Sequence, residues 1–507
     1  MANAKERYDK LQKNREQFLQ RARHNAMLTI PSLMPLAGHD GRAHLIEPYQ
    51  SDGAAGVVSI SSRVTMALIP AGRPHLRMEI KPEVQLELGG DVPPEVEQNL
   101  TRMEQLIQKE VEAANWRART LDSMQQLVVA GSVTEEYLDD NTIRVHRLDN
   151  FVWRRDFRGL VLECVIREYW DRDALPAGMA VGTQTSALDQ DDEAEEVYIH
   201  IRYDDSGDVP VYTVTRENSN GSVFQENVYP AALVPFLFLR WSSTPGEDYG
   251  RAKVEEVIGD LRSLDSLSKQ RQEQAAMASM NFVMIRPGAN ANGLRNRLAR
   301  MANGDYLVGD PESVEVKQFA NGPGYQITSD SISVIRESIA RAFLLLAPQQ
   351  RNAERVTATE IERDVQELES TLGGTFSSLS LEMLERRTLL LIESMKAQGK
   401  FPDEVDQLDA TILTGLEALS RERDVGRGVQ AAQIVSQFGE IGLSHIKFDV
   451  VLSKIMTGLG FPDAVKSAEE VAKEQAQAQQ AAQQQAMMQA AAGPAAQAIA
   501  KQAGGSE

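Results

Sequence analysis

Apolar positions recur at three- and four-residue steps over residues 3–28, where Tyr8, Leu11, Phe18, Leu19 and Ala22 share one stripe and Lys5, Lys10, Lys13, Arg21 and Arg23 lie largely elsewhere. The spacing predicts an amphipathic helix, ended by Pro31 and Pro35. A Gly-rich connector leads to a second expected helix from about Ser51 to Leu68, closed by Pro70 and Gly72. A long third helix is expected from Pro94 to Ala130. Beyond Gly131 the period changes. TIRVHRL, FVWRRDF, LVLECVIREYW, EVYIHIRY, PVYTVTRE and LVPFLFLRW are short runs rich in β-branched and aromatic residues between turn signals. They predict an antiparallel β module inside an otherwise helical protein.

From Asp248 the helical period returns, with Val254, Val257, Ile258, Leu261, Leu264 and Leu267 on one stripe. Continued to about Met280, this helix would be roughly 45 Å long. Residues 281–328 mix two or three short strands with one short helix and are broken by Gly and Pro, as in a small inserted subdomain; Gly322-Pro323-Gly324 reads as a plain turn. Helix resumes near Ser329 and runs to Leu346, where Pro348 stops it. After the loop APQQRNAER, Thr357 and Glu360 make a capping box, and Ile361, Val365, Leu368 and Leu372 keep helical spacing as far as Gly373 and Gly374. That glycine pair predicts a kink or break, with helix resuming through Leu379 to Met395. Three or four shorter helices are expected over 401–467, and the Ala/Gln run from about Ala472 to Ala500 has high helix propensity with few large apolar anchors.

Composition narrows the function classes. The single Cys164 excludes an intrachain disulfide and a Cys-based zinc cluster, which leaves a buried structural thiol. The seven histidines, at 24, 39, 44, 75, 146, 200 and 445, show no metal-ligand spacing, so each reads as a surface or packed residue. No metal site and no cofactor are expected. The first twenty residues lack the apolar core of a signal peptide, and no later window offers an apolar spanning run, so a soluble protein without a membrane partner is expected. The net charge of −20, from 53 basic and 73 acidic side chains, argues against tight phosphate-neutralising contact with nucleic acid. It leaves open a passage through which DNA slides. Phosphate loops, dinucleotide fingerprints, nucleophile elbows and Cys/His nucleophile pairs are all missing, so no enzyme and no catalytic residue is expected. The acidic stretch 189–196 invites a Mg²⁺-nuclease reading through Asp191 and Asp192, but a like-charge run between strands reads as a solvated loop.

Four segments in order carry a resemblance. They are ERYDKLQKNREQFLQRARHNAMLTIPSLMP, then EPYQSDGAAGVVSISSRVTMALIPAGRPHLRM, then WSSTPGEDYGRAKVEEVIGDLRSLDSL, and AFLL followed by ERVTATEIERDVQELESTLGGTFSSLSLEML. Together they frame the chain to about residue 398, and in this order it resembles the head-to-tail connector (portal) family of podoviruses. The resemblance implies an α+β, mainly helical portal fold with wing, stem, clip and crown regions and a C-terminal helical barrel. On the segments above, residues 1–247 would be most of the wing, 248–280 and 329–346 the two stem helices, and 281–328 the clip. Residues 347–356 would be the channel loop, 357–398 a kinked wing helix, 399–467 the crown and 468–507 the barrel helix with a disordered end.

The implied function is a homo-oligomeric ring, usually a dodecamer, at one capsid vertex of the virion, assembled in the host cytoplasm. Double-stranded DNA would be packaged through it by the terminase motor, retained, and ejected into the tail. Tail adaptor, capsid and scaffolding proteins are the other implied partners. A channel needs weak, repeated phosphate contacts, and Gln349, Gln350, Arg351, Asn352 and Arg355 of the channel loop are suited to them. An ordinary solvated helix–helix loop is the other reading. Arg286, Arg295, Arg297 and Arg300 form a basic cluster in the clip that would meet DNA, the motor or an adaptor; salt bridges between subunits explain it as well. A helical scaffold or adaptor that binds proteins without surrounding DNA is the alternative function.

Overall fold

The computed structural model describes residues 3–36, 44–70, 75–80, 94–171, 194–279, 281–285, 287, 291–301, 314–318, 322–345, 372, 374–400, 410–414 and 456. In chain order, helices α1 (Ala4–Met27) and α2 (Asp52–Leu68) precede strand β1 (Leu76–Ile80), helix α3 (Pro94–Ala113) and helix α4 (Trp116–Ala130). Eight strands follow: β2 (Ser132–Tyr137), β3 (Ile143–His146), β4 (Phe151–Arg155), β5 (Val161–Asp171), β6 (Ala194–Asp204), β7 (Val211–Asn218), β8 (Val223–Pro230) and β9 (Phe236–Arg240). Then come α5 (Ile258–Ser279), β10 (Asn281–Ile285), α6 (Ala291–Leu298), β11 (Val314–Gln318) and α7 (Gly322–Ala342). Helices α8 (Thr375–Leu379) and α9 (Arg386–Ala397), joined by a π-helical stretch over Ser380–Glu385, and strand β12 (Ala410–Thr414) complete the series.

The chain divides into two units, Met1–His75 with Ile107–Lys400, and Leu76–Leu106 with Phe401–Glu507. In the smaller unit β1 pairs antiparallel with β12, and the Met78 amide donates to Glu104 Oε1 at 2.8 Å. A strand at 410–414 departs from the all-helical expectation for this region; ATILT has the β-branched character that a paired strand rewards. The remaining helices expected over 401–467, and the Ala/Gln tail, lie outside the described residues.

In the larger unit β3-β2-β9 form one antiparallel sheet and β4-β5-β6-β7-β8 another. Helix α1 begins where the Asn3 side chain accepts the Glu6 amide at 2.8 Å. It buries Ala4, Tyr8 and Leu11 against Val152, Val165 and Tyr198 of the larger sheet. The same face carries Arg15, only 2% exposed. Its guanidinium donates to Tyr8 Oη at 2.9 Å and to the carbonyls of Leu148, Asp149 and Phe151 at 3.2, 2.8 and 2.9 Å, closing a loop whose carbonyls would otherwise be orphaned. Trp153 lies between Phe151 and Tyr249, with ring centroids at 4.7 and 5.6 Å. Cys164 is buried, as expected, and burial pushes its thiol up.

The single helix expected over Pro94–Ala130 is two. Asn115 sits at φ 52° between α3 and α4, a left-handed conformation that asparagine tolerates better than most residues. The turn lets Trp116 enter the core and donate to the Asn141 carbonyl at 2.8 Å. Gly374, at φ 87°, opens α8, and Gly373 lies outside the described residues. The part of the expected kinked helix over 357–371 lies outside the described residues.

Candidate functional site: the α5–α7 pair and its basic helix

Helices α5 and α7 frame the segment that holds the expected clip arginines. Helix α5 starts at Ile258, ten residues later than the periodicity placed it, because Lys253–Val257 form a 3-10 turn and Arg251 pairs back to Ser242 as an isolated bridge. Helix α7 starts at Gly322, seven residues earlier than expected, and Gly322-Pro323-Gly324 is its first turn and no plain turn. Proline is suited to that position, since the amide it lacks would have no intrahelical partner.

Ser338 Oγ on α7 donates to Asp260 Oδ2 on α5 at 2.9 Å, and Arg336 Nε on α7 donates to Asp52 Oδ2 on α2 at 3.1 Å. Leu261, Leu264, Ile332, Ile339 and Phe343 are buried. Other large apolar side chains of the pair stay exposed in the single chain: Met277, Ile327 and Val334 are 53%, 68% and 68% exposed.

Between the helices, β10 pairs antiparallel with β11, from Asn281 opposite Gln318 to Ile285 opposite Val314. Helix α6 packs Leu294 inward and exposes most of its other side chains, Arg295 and Arg297 among them. Arg297 Nε reaches the Gly293 carbonyl at 3.4 Å, and no carboxylate pairs with Arg295, Arg297 or Arg300 among the described residues. Three arginines are thus brought onto one short exposed segment. Arg286 lies outside the described residues, as do Gln349, Gln350, Arg351, Asn352 and Arg355.

The last three residues of the acidic stretch 189–196 are strand and not loop. Ala194 begins β6, with Glu195 opposite Trp170 and Glu196 opposite Tyr169, and Glu195 is buried. Asp191 and Asp192 lie outside the described residues.

Sequence reading missed two ionic clusters of the β module. Glu163 on β5 takes Arg7 Nε at 2.7 Å and His200 Nε2 at 2.9 Å. Burial pushes its carboxyl up, but the hydrogen bonds from Arg7 and His200 outweigh it and hold the group down at about 2. In the second cluster His146 lies between Glu136 and Glu168, flanked by Arg144 and Arg216. Both are assembled across strands and between elements far apart in the chain, so the only trace in the sequence is polar residues at strand positions that alternation assigns to an interior. A cavity of about 560 Å³ lies nearby, lined by Leu33, Asn115, Arg119, Gln126, Ile143 and Arg147 among others. Its Arg119 and Arg147 are engaged with Asp122 at 3.2 Å and Asp149 at 3.0 Å. No helix among the described residues is long and apolar enough to cross a membrane.

A profile of the bacteriophage head to tail connecting protein family matches residues 1–466. The portal protein of Escherichia phage T7 is 30% identical over 436 residues, covering 84% of this chain and 80% of that protein. The portal protein of Pseudomonas phage phiKMV is 28% identical over 481 residues, covering 90% of each. Among solved structures, a chain from the neck of an empty gene transfer agent particle, computed with C6 symmetry, aligns with a TM-score of 0.39 and 13% identity over 82% of this chain and 90% of that one.

Proposed function

The chain belongs to the bacteriophage head-to-tail connecting protein family and has its portal function at the junction of head and tail, and we propose that it performs this function as a closed ring, a dodecamer, through which double-stranded DNA passes. The observation that carries the reading is the family match over residues 1–466. The exposed Met277, Ile327 and Val334 support it: an α5–α7 pair that leaves large apolar side chains in water is suited to being covered by the same pair of a neighbouring copy.

In this reading α5 and α7 are the stem and the segment between them is the clip. Residues 1–247 make most of the wing, 399–467 the crown and 468–507 the barrel. Gln349, Gln350, Arg351, Asn352 and Arg355 touch phosphates weakly from the channel loop, positioning DNA without reading it. Arg286, Arg295, Arg297 and Arg300 face the terminase motor, a tail adaptor or the entering DNA. Assembly takes place in the host cytoplasm alongside capsid and scaffolding proteins.

Electron microscopy of the purified chain tests the ring. End-on views should show closed rings with a bore wide enough for duplex DNA, roughly 20 Å, since head-to-tail contacts close only under cyclic symmetry. Monomers, dimers or open filaments at high concentration would instead favour a helical scaffold or adaptor that never surrounds DNA.

A further inference from the structure

Phe157, in the hairpin turn between β4 and β5, is 92% exposed, the most exposed of the large apolar side chains among the described residues. Single apolar residues are ordinary on a protein surface, but this one stands on a turn fastened by its neighbours. Asp156 Oδ1 accepts the amides of Arg158 at 2.9 Å and Leu160 at 2.7 Å. The Asp156 amide donates to the Leu160 carbonyl at 2.9 Å, and the Gly159 amide donates to the Asp156 carbonyl at 3.1 Å. Gly159 turns the chain at φ 89°, a left-handed conformation that glycine adopts without steric cost. Its carbonyl accepts Arg155 Nη1 at 2.5 Å, while Arg155 Nη2 ties the hairpin to the Phe238 carbonyl of β9 at 3.0 Å. None of these bonds uses Phe157. Asp156, Gly159 and Arg155 build the turn, and it would close equally well around a polar residue at 157.

The surroundings of the ring are basic. Arg158 is exposed, with its guanidinium carbon 5.2 Å from the centroid of the Phe157 ring, and no carboxylate pairs with it among the described residues. Arg154 is 51% exposed and shares Glu163 with Arg7 and His200. Leu160, 40% exposed, adds a second apolar side chain.

We infer that this turn is a contact between copies of the chain, Phe157 entering an apolar recess of a neighbouring copy and Arg158 meeting a carboxylate beside it. The inference rests on the ring proposed above. A basic aromatic tip is complemented by an acidic surface, and the chain itself, at −20, supplies one. Ring closure by head-to-tail contacts requires two different patches on every copy, one fitted to the other. Aromatic residues and arginine are the types that the centres of such interfaces concentrate. Because the turn is fixed before contact, docking it costs little further ordering.

Two measurements on the full chain test the contact. The photoreactive p-benzoylphenylalanine in place of Phe157 should, on irradiation, give covalent dimers and longer ladders of the chain on denaturing gels. Phe157→Ser should assemble only at concentrations about thirtyfold higher, the weight of one aromatic anchor, as read by light scattering over a dilution series. Its dissociated subunits should unfold at the parental temperature, because no hydrogen bond of the turn depends on residue 157 and the side chain is almost wholly in solvent. Arg158→Glu should weaken assembly as well, and by less in raised salt. Rings that form in Phe157→Ser at the parental concentration, with no chain-to-chain product from the photoreactive variant, would overturn the inference and leave the ring standing. A parent chain that forms no rings would remove the ring and the inference with it. Photoproducts with a capsid or adaptor protein alone, in particles that contain intact rings, would assign the tip to that protein and overturn the contact between copies.

Discussion

Arg387 on α9 grips Glu135 on β2 with two prongs, Nε to Oε2 at 2.9 Å and Nη2 to Oε1 at 2.5 Å, and neither side chain reaches solvent. A third donor, Nη1, reaches Thr120 Oγ1 on α4 at 2.7 Å. Removing the cation strands a buried carboxylate. Arg387→Met is expected to cost about 3–5 kcal/mol of stability. The double variant Arg387→Met, Glu135→Leu should regain most of that loss, because an apolar pair of similar volume carries no desolvation penalty. Thermal or denaturant unfolding of the three proteins measures both effects.

Gly56 on α2 is where that helix meets α7. A Cβ added there would stand 2.6 Å from Cγ of Phe343, closer than side chains pack. Alanine would ordinarily favour a helix interior by about 1 kcal/mol over glycine. Here overpacking against the ring should dominate, and Gly56→Ala should lose about 1–3 kcal/mol. Combining it with Phe343→Leu should recover part of the loss if the clash is the cause. Unfolding midpoints of the two single variants and the double give the coupling.

His75 is buried, with Nδ1 3.0 Å from Gln108 Oε1. Burial, reinforced by the charge of Arg387 and only partly offset by the Gln108 hydrogen bond, lowers its pKa from 6.5 to about 4. Below the ordinary value the unfolded chain binds a proton that the folded one excludes. The contribution of the neutral ring is therefore complete above pH 6.5 and falls away as pH drops toward 4, by about 3 kcal/mol at most. His75→Phe should flatten the stability curve in that window and leave the loss below it, from carboxylates such as Glu163, in place. Unfolding free energies taken across the acid range separate the two.

Period carried the sequence reading furthest where one face alone is buried. Helices α1 and α2 and the strands from β3 to β7 follow their apolar stripes closely. The reading failed where a backbone decision rests on one residue. Asn115 splits a continuous helical pattern because a left-handed turn brings Trp116 inward, and nothing in the neighbouring period marks it. Pro323 lies in the first turn of α7 although proline and two glycines spell a turn when read alone. Strand β8, VFQENVYP, is an edge strand whose polar side chains face water, so it lacks the alternation that exposes a buried strand. The ionic clusters around His146 and Glu163 depend on which strands become neighbours across sheets, and that is fixed by tertiary packing. The basic residues of α6 were legible because a cluster of arginines stands out locally in an acidic chain.

Those arginines give the sharpest functional test. Arg295 and Arg297 lie on an exposed helix turn, away from the buried faces of α5 and α7, with no paired carboxylate among the described residues. Reversing both charges removes little packing, so assembly and thermal stability should stay within about 0.5 kcal/mol per site of the parent. If the cluster meets the phosphates of entering DNA or an acidic face of the motor, the Arg295→Glu, Arg297→Glu variant should form normal rings and package far less DNA. Raised salt should depress packaging by the parent and narrow the gap between the two, because screening weakens contacts between exposed charges. Rings lost in the variant would place the arginines in subunit salt bridges instead, and packaging that is unchanged with intact rings would remove the cluster from the DNA path. Micrographs of the purified variant and the DNA content of particles assembled with it distinguish all three.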